Sequence, residues 1–527
     1  MRRKYNGANM AKAKLLRSGM VTSAATFASR ILGMIRDMVI ASVLGAGLSS
    51  DVFFFANRIP NFFRRLFAEG AFAQAFVPVM TQTKEQQSKE ALQDLLGKSA
   101  GTLGGIVLLV TVAGMLLSPV LTAVFGWGWF QAALNEEADG IKYYEASELL
   151  RITFPYLFFI TLTALCSSVL NVFGKFGIPA VTPCILNLTL IGAVLIFGKE
   201  CRNPNLVLAY AMVAGGILQL LFQLPFVMKL HLLVRPHFAW SHPGVTKIRQ
   251  LMLPAIIGVS ASQLNLFIST LLASFLATGA ISYLYYSDRL LEFPIGIFAV
   301  AVSTVILPAL SKARLKADPA LYRETLDWGV RLVLLLGIPS MCGIIALREP
   351  ILRVLFMRGA FGSEQVLLSS ASLLASVSGL GAIMLVRVLV QGFAARQDTK
   401  TPVRCSLASI ASNIALNLIL IKPLGYVGLA LSTALAAYVN AFLLLWFLKK
   451  RDIYSISSRS LKFILKIALS GTLMAWCIRF LSPDNAEWFA MDTLTSIMYL
   501  AALITGGAAI YFIAGLIFGI RPRELKR

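Results

Sequence analysis

The stretch DVFFFANRIPNFFRRLFAEGAFAQAFVP, residues 51–78, is apolar enough for oil and yet carries Asp51, Arg58, Arg64, Arg65 and Glu69. Just upstream, SRILGMIRDMV adds Arg30, Arg36 and Asp37. Five arginines therefore lie within 36 residues, beside three acids. A guanidinium presents its donors in a planar fork that fits phosphate or carboxylate oxygens two at a time, so the chemistry on offer is the gripping of an anion. On a helix, Asp51, Asn57, Arg58, Asn61, Arg64, Arg65 and Glu69 fall in a sector about 140° wide, which puts the charges on one face. Arg30 and Asp37, seven apart, share a side in the same way, with Arg36 beside them. A third stretch, YYSDRLLEFP, sets Glu292 three residues after Arg289, where the two can pair along a helix.

The elements that hold these residues follow from composition. Of 527 residues, 57% are hydrophobic and 14% charged, with mean hydropathy +0.75. Soluble domains carry about 45–50% apolar and about 25% charged residues, so this chain has too little polar surface for water and reads as an all-α polytopic membrane protein. Apolar stretches of about 20 residues mark candidate spans. There are fourteen: 20–45, 51–80, 99–125, 149–173, 179–198, 205–228, 249–278, 281–310, 326–347, 366–394, 403–421, 424–448, 461–480 and 492–519. A β-barrel would alternate apolar and polar residues, and GGIVLLVTVAGMLLSPVL does not. The first span is too long and too charged for a removable signal peptide. A charge at the bilayer centre costs at least about 2.5–3.5 kcal/mol, so intramembrane arginines face a bundle interior or a water-filled cavity. Snorkelling to an interface is the alternative for Arg58, Arg64 or Arg65, but it does not account for Arg30 and Arg36 in the middle of their span. The surplus reads as a cationic cavity for an anionic substrate.

With the N-terminus cytoplasmic, the inside connections hold roughly thirty Lys and Arg and the outside ones roughly eight, which places both termini in the cytoplasm and NEEADGIKYYEASE outside. Topology and anionic lipid then explain much of the formal charge of +23, and no nucleic-acid partner is expected. The six cysteines form no paired framework, and His231, His237 and His242 share a loop with no acid or thiol among them, so neither a metal nor a cofactor is expected. An internal repeat sets the organisation. ASVLGAGLSSDVFFFANRIPNFFRRLFAEGAFAQAFVPVM, beginning at Ala41, lies over ASFLATGAISYLYYSDRLLEFPIGIFAVAVSTVILPAL, beginning at Ala273, with Gly47 on Gly279 and Pro78 on Pro308. Two pseudo-symmetric six-helix bundles plus two C-terminal helices result. The divisions are a basic N-terminus (1–19), an N-terminal bundle (20–228), a basic loop (229–248), a C-terminal bundle (249–448), the last two helices (449–519) and a tail (520–527). Parallel repeats of this kind build transporters whose substrate sits between the halves.

The stretches SRILGMIRD, GAGLSSDVFFFANRIPNFFRRLFAEGAFAQAFVP, YYSDRLLEFP and QGFAARQDTKTPV resemble the signatures of the MurJ (MviN) family, bacterial lipid II flippases of the multidrug/oligosaccharidyl-lipid/polysaccharide exporter superfamily. The resemblance runs from about residue 18 to the end. It implies a fourteen-helix transporter, and no enzyme, that moves undecaprenyl-diphosphate-linked disaccharide-pentapeptide from the inner to the outer leaflet of the inner membrane by alternating access. Motif by motif, Arg30, Arg36, Arg64 and Arg289 match the family's cavity arginines, and Asp51 and Glu292 its acidic positions. Asp37, Arg58, Arg65 and Glu69 are further candidates from the charged face. The last two helices, 461–480 and 492–519, would border a groove for the lipid tail. Lipid II, membrane lipid and cell-wall synthesis proteins are the partners so implied. Membrane potential or a monovalent cation is the candidate driving force. The longer basic N-terminus departs from the family pattern. The alternatives are an exporter of another polyprenyl-diphosphate-linked oligosaccharide, and a membrane enzyme handling polyprenyl phosphate, for which the sequence lacks clustered catalytic carboxylates.

Overall fold

The computed structural model describes residues 2–66, 71–198 and 201–521, and every regular element among them is a helix. Eleven helical stretches are long and apolar enough to cross a membrane. Helix also covers residues 20–44, 51–66, 71–80 and 249–273 of the remaining candidate intervals. The chain is thus a polytopic helical membrane protein. Its many exposed apolar side chains, such as Leu109, Phe442, Phe480 and Ile517, are what a lipid-facing surface requires.

The chain divides into two compact units, residues 1–278 and 279–527. The first holds α1 (Arg2–Leu44), α2 (Leu48–Arg64), α3 (Ala71–Gln86), α4 (Lys89–Leu116), α5 (Ser118–Phe125), α6 (Trp127–Leu134), α7 (Ile141–Thr153), α8 (Pro155–Val172), α9 (Gly177–Phe197), α10 (Pro204–Lys229) and α11 (Pro243–Ala273). Local chemistry sets the boundaries. Ser88 accepts the Ala91 amide and Asn203 the Asn205 amide at the starts of α4 and α10, while Pro155, Pro204 and Pro243 stand in first turns, where a missing N–H costs nothing. The aromatic run at the start of α2 is buried: Phe53, Phe54 and Phe55 are at most 2% exposed, and the Phe55 ring lies 4.9 Å from that of Trp129 on α6. α1 packs on α9, α9 on α10, and α11 on α3.

Two connections differ from the sequence expectation of plain loops. The acidic stretch around residue 140 is largely helical, a 3-10 turn over Ala138–Gly140 leading into the start of α7. There Lys142 is fully buried, its Nζ 2.9 Å from Asp139 Oδ1 and 2.7 Å from Thr278 Oγ1, with the Trp129 ring at 5.9 Å. A buried ammonium needs such partners. The basic connection after α10 lies as a strap along α4. His237 N donates to Gly97 O at 3.0 Å, and Ala239 N donates to Thr102 Oγ1 at 3.0 Å. A Cβ at Gly101 would stand 2.3 Å from the His237 backbone, so the close approach demands glycine.

The second unit holds α12 (Ala280–Pro294), α13 (Val300–Leu315), α14 (Pro319–Ala346), α15 (Arg348–Phe356), α16 (Ser363–Val377), α17 (Leu380–Ala394), α18 (Lys400–Leu424), α19 (Tyr426–Lys450), α20 (Ser458–Leu481), α21 (Asn485–Ala490) and α22 (Thr493–Ile517). Gly279 opens α12 at φ +96°, and a Cβ there would lie 2.5 Å from the Tyr283 ring. Pro294 passes into a π-turn over Ile295–Ala299 that joins α12 to α13. A π-turn also begins at residues 65–66 after α2, at a place comparable to that after α12 in the sequence alignment of the two stretches. α20 and α22 are packed elements of this unit. Ile467, Met474 and Ile478 meet Leu500, Leu503, Tyr511 and Trp488 in one core with Val354 of α15. α20 is also tied to α14 by polar contacts, for Asp327 accepts the Ser460 hydroxyl at 2.5 Å, the Tyr454 hydroxyl at 2.8 Å and lies 3.2 Å from Arg331 Nε.

The QDTKTPV stretch is a capped corner. Asp398 accepts the Thr401 amide at 3.0 Å, the Thr401 hydroxyl at 2.7 Å and Arg451 Nη1 at 2.5 Å. Burial works to raise this carboxyl, but the Thr401 bonds and the Arg451 guanidinium outweigh it and bring it down to about 2. A lowered carboxylate stabilises the fold fully above its ordinary value of about 3.9 and progressively less as pH falls to the lowered one. Asp398→Asn is therefore expected to lower the melting temperature at neutral pH, with the difference from the unmodified chain closing between about pH 4 and pH 2. A difference that stays constant across that window would assign the loss to another cause.

Candidate functional site

α1 and α2 position most of the candidate residues. Arg36 on α1 curls back on its neighbour: Nε and Nη2 donate to Asp37 Oδ1 at 2.9 and 2.6 Å, and Nη1 donates to Asn187 Oδ1 on α9 at 3.2 Å. Asp37 is fully buried, while the Arg36 side chain is 19% exposed. Asn187 is itself fixed, its Nδ2 donating to Ser29 O at 3.2 Å. Arg30 stands on the same helix, half-buried. A charge-assisted bond with a carboxylate and a second with an amide set both the plane and the reach of the Arg36 fork.

On α2 the polar face forms a ladder. Arg64 Nε donates to Asn61 Oδ1 at 3.0 Å, and Asn61 Nδ2 donates to Asn57 O and Oδ1 at 2.9 and 2.8 Å. Each rung is one turn from the next, as residues three and four apart on a helix must be. Asp51 is buried in the first turn of α2, where the helix dipole favours a negative charge. Arg58 and Arg65 reach across to α11, where Thr270 Oγ1 accepts Arg58 Nη1 at 2.5 Å and Gln263 Oε1 accepts Arg65 Nη1 at 3.1 Å. Glu69 lies outside the described residues. In the second unit, Arg289 Nη1 lies 2.7 Å from Glu292 Oε2, the pairing that their spacing on a helix predicts. The arginine side chain is 21% exposed and the glutamate 60%.

Sequence reasoning missed the neutral partners. Asn187, Gln263 and Thr270 are neutral polar residues within spans that are otherwise largely apolar, in CILNLTL and SQLNLFIST, and a polar side chain buried there is the signal of a bond across a helix interface. What the assembled set can do is hold guanidinium groups in fixed directions within helices that otherwise face oil. Among the described residues no cluster of His, Cys, Asp and Glu suited to a metal ion occurs.

The chain, strand-free among its described residues and carrying arginines on its helices, shares its fold with solved structures of the MOP superfamily. A multidrug resistance MATE transporter of that superfamily in its inward-facing conformation matches with a TM-score of 0.68 over 82% of this chain and 97% of that one, at 14% identity. The family is shown by closer likenesses. A profile described as lipid II flippase MurJ matches residues 40–499, and the chain belongs to that family. It is 47% identical over 506 residues to the probable lipid II flippase MurJ of Haemophilus influenzae, covering 95% of this chain and 99% of that one. A solved structure of lipid II flippase MurJ in an inward closed conformation matches with a TM-score of 0.79 and 29% identity, over 96% of this chain and 100% of the other. These relatives are named as flippases, and so as transporters rather than enzymes.

Proposed function

We propose that this chain moves lipid II from the inner to the outer leaflet of the bacterial inner membrane by alternating access, with both termini in the cytoplasm. The observation that carries the reading is the charge surplus on α1 and α2, five arginines beside three acids over residues 30–69, in a chain whose relative of 47% identity is named a probable lipid II flippase. Arg30, Arg36, Arg64 and Arg289 form the cationic cavity, and Arg36, Arg64 and Arg289 grip the diphosphate while the polyprenyl tail stays in lipid. The outer faces of α20 and α22, with Leu465, Trp476, Phe480 and Phe512 exposed, supply the apolar border along which the tail runs. Asp51 and Glu292 hold the arginines in place, with Asp37 serving Arg36. No covalent bond changes. The membrane potential, or a monovalent cation, drives the return of the empty carrier, each charge moved through 100 mV being worth about 2.3 kcal/mol. Depletion of the chain in cells is expected to remove lipid II from the outer leaflet, read as loss of labelling by an impermeant probe while total lipid II rises. Undiminished outer-leaflet lipid II after depletion would overturn the proposal.

A further inference from the structure

We infer that Asn187 is a positioning residue for anion binding: it aims the Arg36 guanidinium at the substrate from α9 without adding a negative charge beside it. The inference rests on Arg36 gripping a diphosphate. Its geometry is independent of that reading. Asn187 is 6% exposed and lies in a helix that is otherwise almost wholly apolar, GIPAVTPCILNLTLIGAVLIF. Its amide makes two bonds of opposite sense to α1, the oxygen accepting from Arg36 Nη1 and the nitrogen donating to Ser29 O. That pair of bonds fixes which way the amide faces, because a flipped amide would set its NH2 against the guanidinium and its oxygen against a carbonyl. Asp37 holds Arg36 through Nε and Nη2, both on one carboxylate oxygen. Asn187 adds the third point on the far side of the fork.

The neutrality of this acceptor is the chemical content of the inference. A carboxylate at the same place would hold the guanidinium more tightly and, in doing so, compete with the phosphate oxygens for it. An amide gives direction and leaves the field of the arginine available to a ligand. A residue that merely packs α1 against α9 needs no such distinction, and the two roles separate experimentally.

The test measures lipid II binding to the purified full-length chain in nanodiscs, for the unmodified protein, Asn187→Leu, Asn187→Asp, Arg36→Ala and the pair Asn187→Leu with Arg36→Ala. Melting curves report folding. Asn187→Leu is expected to weaken binding about tenfold. Asn187→Asp, of the same shape, is expected to weaken it at least as much while melting at or above the unmodified temperature. On the residual binding of Arg36→Ala, adding Asn187→Leu is expected to change nothing, since the group it aims is gone. Equal affinity of Asn187→Asp and the unmodified chain, or a full tenfold loss from Asn187→Leu in the Arg36→Ala background, would overturn the inference. If Asn187→Leu does not fold, Asn187→Ser replaces it in the same cycle. Failure of the underlying reading looks different: there Arg36→Ala itself binds lipid II like the unmodified chain.

Discussion

Replacing Arg36, Arg64 or Arg289 with Ala is expected to weaken lipid II binding at least tenfold in each case and to abolish growth support, while the protein still reaches the membrane. A hydrogen bond to a charged group contributes about 1.5–3 kcal/mol, and about 1.4 kcal/mol is a factor of ten in affinity. Loss of an intramembrane charge eases insertion if it does anything, so absence from the membrane is not the expected cause. Lys at these positions keeps the charge and loses the fork, and so separates positions that make two-point phosphate contacts from those where the field suffices. Arg58 is the control. Its Nη1 donates to the Thr270 hydroxyl, a neutral acceptor that a lysine ammonium can also serve, so Arg58→Lys is expected to retain function. Unchanged lipid II affinity in all three Ala variants would assign the arginines to folding or gating and end the diphosphate grip.

The second large effect concerns Glu292. Arg289 Nη1 and Glu292 Oε2 are 2.7 Å apart, so removing the carboxylate alone leaves a partly buried guanidinium without this partner. Glu292→Gln and Arg289→Gln are each expected to cut transport strongly, and the double variant to lose less than the product of the two. Coupling between contacting residues runs about 0.5–3 kcal/mol, and the 60% exposure of the glutamate places this pair toward the lower end. Transport losses that multiply without coupling would show that the carboxylate serves another purpose, such as carrying a proton.

Class, span positions and charged residues were legible in the sequence because each is a matter of residue type against solvent. Apolar runs separated by basic connections can be little other than membrane helices, and arginines inside them announce themselves by cost. The repeat in the sequence starts its second bundle at α11, whereas packing divides the chain after Thr278, with α11 against α3 of the first unit. Sequence similarity records how the chain was duplicated, while packing records which faces were left to bury. What stayed hidden was whatever depends on a partner distant in the chain. Asn187 is one amide among apolar residues until α1 and α9 come together. Lys142 looked like part of a solvated acidic loop, yet Trp129, Asp139 and Thr278 enclose it. Asp327 and Arg331 stand four apart, the spacing of a helix pair, whereas Tyr454 and Ser460 arrive from 127 and 133 residues away.

The strap over α4 bears on how this chain can be handled. Polar, proline-containing connections between membrane helices are the customary places for an affinity tag, a protease site or a fused reporter, and residues 230–242 look suitable by composition. Tolerance of an insertion depends on what the backbone there is bonded to, and here His237 and Ala239 amides are spent on α4 while Gly97 and Gly101 leave no room for the strap to lift and resettle. An inserted sequence in this segment would loosen the strap from α4, more than a hundred residues upstream, so chimaeras and split versions of the protein are better joined at another connection.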